Sequence, residues 1–302
     1  MNNNNGQRWL TLDLLKAAEG HFREKGLEAS RLNAEILLAH VLHSTRMDLY
    51  LKHDRPVYGE ELEQFRSLCR ERLKGKPLQY ITGEQFFYGH SFLVDERVLI
   101  PRPETELVLE HALDRMAVGG LAKRKKAAIL DIGTGSGCLA VVLALKMPNA
   151  KITAVDLSGG ALEVAERNAH RHGVSERISF RQADALNNGF ANEVGGEYDV
   201  IVSNPPYIPE TEWSELETEV KEYEPKMALT VPDRFVFYRA ISERASLLLK
   251  PEGLLCFELH ADGARTVLEV VTGQGFGKME VHRDYAGWDR VLSGILIRSG
   301  VH

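Results

Sequence analysis

An α/β architecture, with a mostly parallel sheet carrying helices on both faces and a small helical bundle in front of it, is the fold class this sequence predicts. Three observations predict it. The first part of the chain places apolar residues three and four apart, which is helical spacing. From about residue 127 short apolar runs alternate with helical patterns, which implies a parallel sheet covered on both sides. The last stretch reads as two strands about Ala286-Gly287, an antiparallel hairpin closing the sheet.

In chain order, Leu10, Leu14, Leu15, Ala17 and Ala18 make one apolar helical face. Ala34, Ile36, Leu37, Leu38, Val41 and Leu42 make a second, and Leu62, Phe65, Leu68, Cys69 and Leu73 a third. Gly75-Lys76-Pro77 breaks the pattern. Phe86-Phe87-Tyr88 and Ser91-Phe92-Leu93-Val94 then suggest two short strands about Gly89-His90. Pro101 and Pro103 hold the next segment extended, and a helix is expected from near Glu104. Strands are expected at 127–130, 151–155, 178–181, 200–203, 254–259, 279–285 and 290–297, with helices at 139–145 and 161–170. The expected domains are a helical, substrate-binding unit over 1–75, a β-hairpin linker over 76–100 and the α/β domain over 101–302. A chain of 302 residues suits two domains.

Composition narrows the function. With 44% hydrophobic and 26% charged residues, an ordinary globular protein is expected. A net charge of −6 argues against a dedicated nucleic-acid binder, which normally carries a basic excess. The basic run Lys123-Arg124-Lys125-Lys126 reads as a solvated loop and the Asn run at the N-terminus as a frayed end. Cys69, Cys138 and Cys256 are odd in number and far apart, which predicts thiols rather than a disulfide framework or zinc site. No histidine spacing indicates a metal, and no apolar run approaches a membrane span. A cytoplasmic monomer is the expectation, with no membrane partner.

The strongest local signal is Asp131-Ile132-Gly133-Thr134-Gly135-Ser136-Gly137, between a strand and a helix. Glycines there let the backbone turn tightly and approach a ligand. Asp156, which closes the next strand, can accept hydrogen bonds from ribose hydroxyls. A nucleoside-bearing cofactor is implied. The dinucleotide fingerprint G-x-G-x-x-G is not met, because the third glycine falls one position early and Cys138 stands in its expected place. The G-x-G-x-G spacing resembles class I (Rossmann-like) S-adenosylmethionine-dependent methyltransferases. In that resemblance Asp184 or Ala185, in Gln182-Ala183-Asp184-Ala185, borders the adenine, and Asp184 could equally cap a turn.

Ser203-Asn204-Pro205-Pro206-Tyr207 follows the fourth strand of the sheet, at the strand end where open parallel sheets bind ligands. Proline holds Asn204 extended, giving a stiff rim with one amide oxygen and nearby carbonyls. Such a rim suits methylation of a planar nitrogen. Asn204 Oδ1 would accept one N–H of the target and the Pro205 carbonyl the other, while Tyr207 packs beside the flat group.

Asn-Pro-Pro-Tyr is shared by adenine-N6 DNA methyltransferases and glutamine-N5 protein methyltransferases. The surrounding residues separate them. Arg31-x-x-Ala34-Glu35-x-Leu37-Leu38, Arg72-x-x-Gly75-x-Pro77-Leu78-Gln79-Tyr80-Ile81-x-Gly83 and Phe87-Tyr88-Gly89 resemble the release factor glutamine methyltransferases. So do Val98 to Glu106 with Pro101-Arg102-Pro103-Glu104-Thr105-Glu106, Tyr223-Glu224-Pro225-x-x-Ala228-Leu229, and Asp284-x-Ala286-Gly287-x-Asp289-Arg290. The resemblance covers nearly the whole chain. It implies transfer of a methyl group from S-adenosylmethionine, leaving S-adenosylhomocysteine, to the Gly-Gly-Gln glutamine of class I peptide chain release factors. It implies a cofactor site of Gly133, Thr134, Gly135, Ser136, Gly137, Asp156, Asp184, Ala185 and Asn204. Substrate contacts would come from Asn204, Pro205, Pro206 and Tyr207, of which Asn204, Pro205 and Tyr207 would be catalytic. Two segments depart from the family's usual pattern: Thr230-Val231-Pro232-Asp233-Arg234, and His260-Ala261-Asp262-Gly263. The alternatives are an adenine-N6 DNA methyltransferase, which must flip a base and grip phosphates, and a non-catalytic S-adenosylmethionine-binding protein.

Overall fold

The computed structural model describes residues 8–118 and 126–297. The Asn run, Lys123, Arg124 and Lys125 lie outside the described residues, and Lys126 is exposed. The chain divides into two compact units. The first runs to Gly83 and takes in Glu217–Tyr223; the second holds Glu84–Leu216 and everything from Glu224 onward. The helical unit thus extends past residue 75, and the hairpin counts with the α/β unit.

The first unit comprises β1 (Trp9–Leu10), α1 (Thr11–Glu24), α2 (Ser30–Val41), α3 (Arg46–Leu51), β2 (Pro56–Val57), α4 (Gly59–Leu73) and α5 (Leu78–Thr82). Leu14, Leu15 and Phe22 of α1, Leu37 and Leu38 of α2, and Leu62 and Phe65 of α4 form its core. Leu10 falls in β1 instead and is exposed. α3 opens with a capping box: Thr45 Oγ1 accepts from Asp48 N–H, and Asp48 accepts from Thr45 N–H at 3.0 Å. Each satisfies an orphan donor at the helix start. Buried Glu35 takes hydrogen bonds from Arg31, Arg46 and Tyr50, which gives the Arg31…Glu35 pattern a folding reason. Arg72 likewise joins Asn33 (2.7 Å), the Lys76 carbonyl (2.9 Å) and Glu219 (2.8 Å).

In the second unit the hairpin of β3 (Glu84–Phe87) and β4 (His90–Leu93) pairs Phe87 with His90, leaving a two-residue turn. Both turn residues, Tyr88 (φ 51°) and Gly89 (φ 77°), are left-handed, as the tightest hairpins require. Then follow α6 (Thr105–Val118), β5 (Ala128–Ile132), α7 (Cys138–Lys146), β6 (Lys151–Asp156), α8 (Gly159–Arg171), β7 (Ile178–Gln182), α9 (Phe190–Val194), β8 (Tyr198–Ser203) and β9 (Ile208–Pro209). After α10 (Thr218–Tyr223), which belongs to the first unit, come β10 (Thr230–Val231), α11 (Val236–Leu248), β11 (Leu249–Glu258), α12 (Ala264–Gly273), β12 (Phe276–Arg283) and β13 (Asp289–Leu296).

The main sheet has seven strands in the order β12-β13-β11-β8-β5-β6-β7. β11, β8, β5, β6 and β7 are parallel, and β13 and β12 add the expected antiparallel edge. Alternating side chains divide the core between its faces. Ile129, Val200, Val202, Leu254 and Cys256 join α6, α7 and the hairpin, whereas Leu130, Ile201, Leu255 and Phe257 join α9, α11 and α12. Cys138 and Cys256 are buried free thiols, and Cys69 is partly exposed. The turn before β13 is closed by Asp284, which accepts from the N–H groups of Ala286 (2.9 Å) and Trp288 (3.0 Å) and from Arg290 Nε (2.8 Å).

One buried side chain holds three parts of this unit together. Asn168 of α8 donates to the carbonyls of Leu93 (2.9 Å) and Ser136 (2.8 Å), and accepts from Leu93 N–H (2.7 Å). It thereby ties the hairpin and the glycine loop to one helix. A buried polar group stripped of its partner costs about 1–3 kcal/mol. Asn168→Ala is therefore expected to destabilise the protein by about 2–4 kcal/mol, read as a lowered midpoint in urea denaturation.

Candidate active site

The chain runs outward from β5 through β6 to β7, then returns to lay β8 on the other side of β5. The sheet order therefore reverses between β5 and β8, and loops leaving the strand ends there diverge to leave a crevice. A cavity occupies it. Gly133, Thr134, Gly135 and Ser136 line the cavity from the loop after β5, and Asp156 from the end of β6. Asp184 and Ala185 line it beyond β7, and Asn204, Pro205 and Pro206 beyond β8. Gly137 and Tyr207 are not among the lining residues.

The glycine loop is folded onto the end of β6, where Gly133 N–H and Thr134 N–H both donate to the Val155 carbonyl (2.8 and 3.0 Å). Gly133, Gly135 and Gly137 all have positive φ. A Cβ on Gly135 would point into open space, while one on Gly137 would lie 3.0 Å from Ala165 Cβ. Gly135 thus opens the cavity, whereas Gly137 lets α7 start against α8.

The carboxylates differ in their partners. Asp156 accepts from Gly135 N–H and Ser158 N–H, each at 2.9 Å. Burial pushes its carboxyl up from the usual range, offset in part by those N–H groups. Asp131, fully buried, accepts from the Thr134 hydroxyl at 2.6 Å through one oxygen, while its other oxygen has no partner among the described residues. Burial pushes Asp131 up to about 7. Asp184 accepts from Leu186 N–H at 2.8 Å, so it caps a turn as well as lining the cavity.

Asn204 Nδ2 donates to Thr105 Oγ1 at 3.1 Å, and its Oδ1 has no partner among the described residues. Thr105 donates in turn to Glu258 Oε2 at 2.6 Å. The Tyr207 hydroxyl donates to Glu258 Oε1 at 3.3 Å, behind the cavity wall. Burial pushes the Tyr207 hydroxyl upward and Glu258 up to about 7. Sequence reasoning missed Glu258. The available signal was an acid within the otherwise apolar run 254–259, in the strand beside β8 and at the ligand-binding end of the sheet.

Comparison with known proteins accounts for this combination of residues. Residues 13–83 match the PrmC N-terminal domain model, and residues 113–219 the methyltransferase small domain model. The release factor glutamine methyltransferase of Chlorobaculum tepidum is 56% identical over 94% of this chain and 97% of its own length. The chain belongs to the release factor glutamine methyltransferase family. A relative of that name from Geobacter sulfurreducens is 41% identical, over 95% of this chain and 96% of its own length. One from Bacillus anthracis is 36% identical, over 93% and 97%.

In this release factor glutamine methyltransferase family member, the Pro-Arg-Pro-Glu-Thr-Glu segment has a structural reading. Arg102 pairs with buried Glu224 at 2.5 Å, Thr105 with Glu258, and Glu106 accepts from Tyr88 N–H at 2.6 Å. The segment thereby joins the cavity wall to the hairpin. The segments 230–234 and 260–263, singled out in the sequence, meet each other. Arg234 from the first bridges Asp262 from the second and Glu212, each at 2.6 Å. His260 hydrogen-bonds Asp262 and sets its ring across that of Tyr207, with centroids 5.5 Å apart. Thr230 and Val231 pair with Ile208 and Pro209, just past the Asn-Pro-Pro-Tyr turn. Gly137→Ala is expected to lower stability by at least about 1–2 kcal/mol, the cost of a left-handed side chain, before its contact with Ala165 is added. A reduced melting temperature in calorimetry checks this.

Proposed function

We propose that this protein transfers a methyl group from S-adenosylmethionine to the side-chain amide nitrogen of the Gly-Gly-Gln glutamine in class I peptide chain release factors, giving N5-methylglutamine. The observation that carries the reading is the Asn204 amide, whose nitrogen is engaged by Thr105 while its oxygen, on the cavity rim, has no partner among the described residues. The 56% identical relative, named for this activity, supports the choice of substrate.

The residues present fit S-adenosylmethionine. Gly133 and Gly135 leave room for a ligand against the backbone. Asp131 and Asp156 are buried carboxylates pushed upward by desolvation, so a ligand bearing ammonium and sulfonium charge would offset a cost already built into the pocket. Asp156, Asp184 and Ala185 line the cavity; Asp156 would accept from ribose hydroxyls, and Asp184 and Ala185 would border the adenine. When bound, the cofactor supplies an electrophilic methyl group on sulfur.

The protein's contribution is positioning. An amide NH2 is a poor nucleophile because its lone pair is delocalised. Asn204 Oδ1 accepts one of its N–H groups and the Pro205 carbonyl the other, which presents the out-of-plane face of the nitrogen for methylation. Both acceptors bind more strongly as positive charge builds on that nitrogen. No strong general base is required, because the alkylated nitrogen is acidic enough to lose its proton. Orientation of this kind contributes about 7–11 kcal/mol in favourable cases. Tyr207, held by Glu258, stiffens the turn beneath the target.

Mass spectrometry of a purified release factor, after incubation with this protein and S-adenosylmethionine, is expected to show one added methyl on the Gly-Gly-Gln glutamine. No gain with cofactor binding confirmed would overturn the substrate assignment. Asn204→Ala should keep cofactor affinity and lose most turnover, and an unchanged kcat would remove Asn204 from catalysis. Asp156→Ala is expected to weaken S-adenosylmethionine binding by about 1.5–3 kcal/mol in titration calorimetry, the usual loss for hydrogen bonds to a charged group.

A further inference from the structure

We propose that Thr105 and Glu258 are positioning residues that decide which end of the Asn204 amide faces the target. The proposal rests on the role given to Asn204 above.

The two ends of a carboxamide have nearly the same shape and differ in hydrogen bonding: one accepts, the other donates. With its oxygen toward the cavity, Asn204 meets the N–H groups of a target amide. Turned over, it would set donors against donors. Nothing in the local sequence Ser203-Asn204-Pro205 selects between the two. The selection comes from a chain of hydrogen bonds inside the protein. Glu258 is 2% exposed and accepts from Thr105 at 2.6 Å and from Tyr207 at 3.3 Å. A threonine hydroxyl has one hydrogen, and here Glu258 takes it. Only lone pairs remain on Thr105 Oγ1 to face Asn204, so the neighbouring end of the amide must be the donor, Nδ2, at 3.1 Å. Thr105 is 3% exposed, so water does not compete for those lone pairs.

The direction survives protonation of Glu258. Its carboxyl is pushed up to about 7 by burial, Thr105 and Tyr207 opposing through their hydrogen bonds, with Glu104 raising and Arg290 lowering it further. A proton on Oε1, toward Tyr207, leaves Oε2 an acceptor for Thr105. The requirement is therefore an acceptor at this position, not a negative charge.

The test compares Thr105→Val and Thr105→Ser in steady-state methylation of a purified class I release factor, with S-adenosylmethionine affinity and melting temperature measured alongside. Thr105→Val keeps the shape and removes the hydroxyl. It is expected to lower kcat about 10–100-fold, in the range of losing an oriented transition-state contact, with cofactor affinity within about twofold of wild type. Thr105→Ser restores the hydroxyl and is expected within about fivefold of wild-type kcat on the same reasoning. If Thr105→Val does not fold, Thr105→Ala carries the same expectation. Wild-type kcat in the hydroxyl-free variant, with Asn204→Ala inactive, would overturn the relay and leave Asn204 in place. A serine variant as slow as the valine one would also overturn it. Wild-type kcat in both Thr105→Val and Asn204→Ala would instead sink the reading of Asn204 itself.

Discussion

The hydrogen bond from Ser203 Oγ to the Ile132 carbonyl, 2.7 Å long and fully buried, joins the ends of the two central strands where the sheet order reverses. The site depends on that junction. β5 delivers the glycine loop and β8 delivers Asn204, and side-by-side pairing from Ile129–Val200 to Ile132–Ser203 sets their separation. Diverging loops at such a point leave space that no side chain has to vacate. The Asn204 carbonyl lies 3.8 Å from where a Gly133 Cβ would stand, which shows how near the two loops come.

The same junction concentrates cost. Asp156 and Glu258 close β6 and β11, Asp131 stands one residue before the end of β5, and burial pushes all three carboxyls upward. A fold selected for stability alone would place apolar residues there, since an unpaired buried acid is expensive. Hydroxyls and backbone N–H groups, rather than lysine or arginine, hold these oxygens: Thr134, Thr105, Tyr207, Gly135 and Ser158. Neutral donors satisfy the geometry of these oxygens without supplying a full counter-charge.

The segments 230–234 and 260–263 are joined in space. Arg234 and Asp262 are far apart in the chain, yet they pair at 2.6 Å, and His260 links that pair to the ring of Tyr207. A change in one segment alone would remove this bridge while leaving Arg234 with Glu212 and Asp262 with His260.

Much of this was written in the sequence. Helical spacing marked α1, α2 and α4, and short apolar runs marked the strands of the main sheet, because burial imposes both patterns. Glycines at 133, 135 and 137, the acid at 156 and the Asn-Pro-Pro-Tyr turn marked the site, because tight turns and ligand approach admit few residue types there. What only the tertiary structure decided was which partner each group found. The neighbouring glycines 135 and 137 serve different ends, one opening the cavity and one admitting Ala165 of α8. Thr105, Asn204 and Glu258 are separated by 99 and 153 residues along the chain, and no local pattern relates them. A hydrogen bond between distant residues is set by strand order and register, and those follow from how the whole sheet packs.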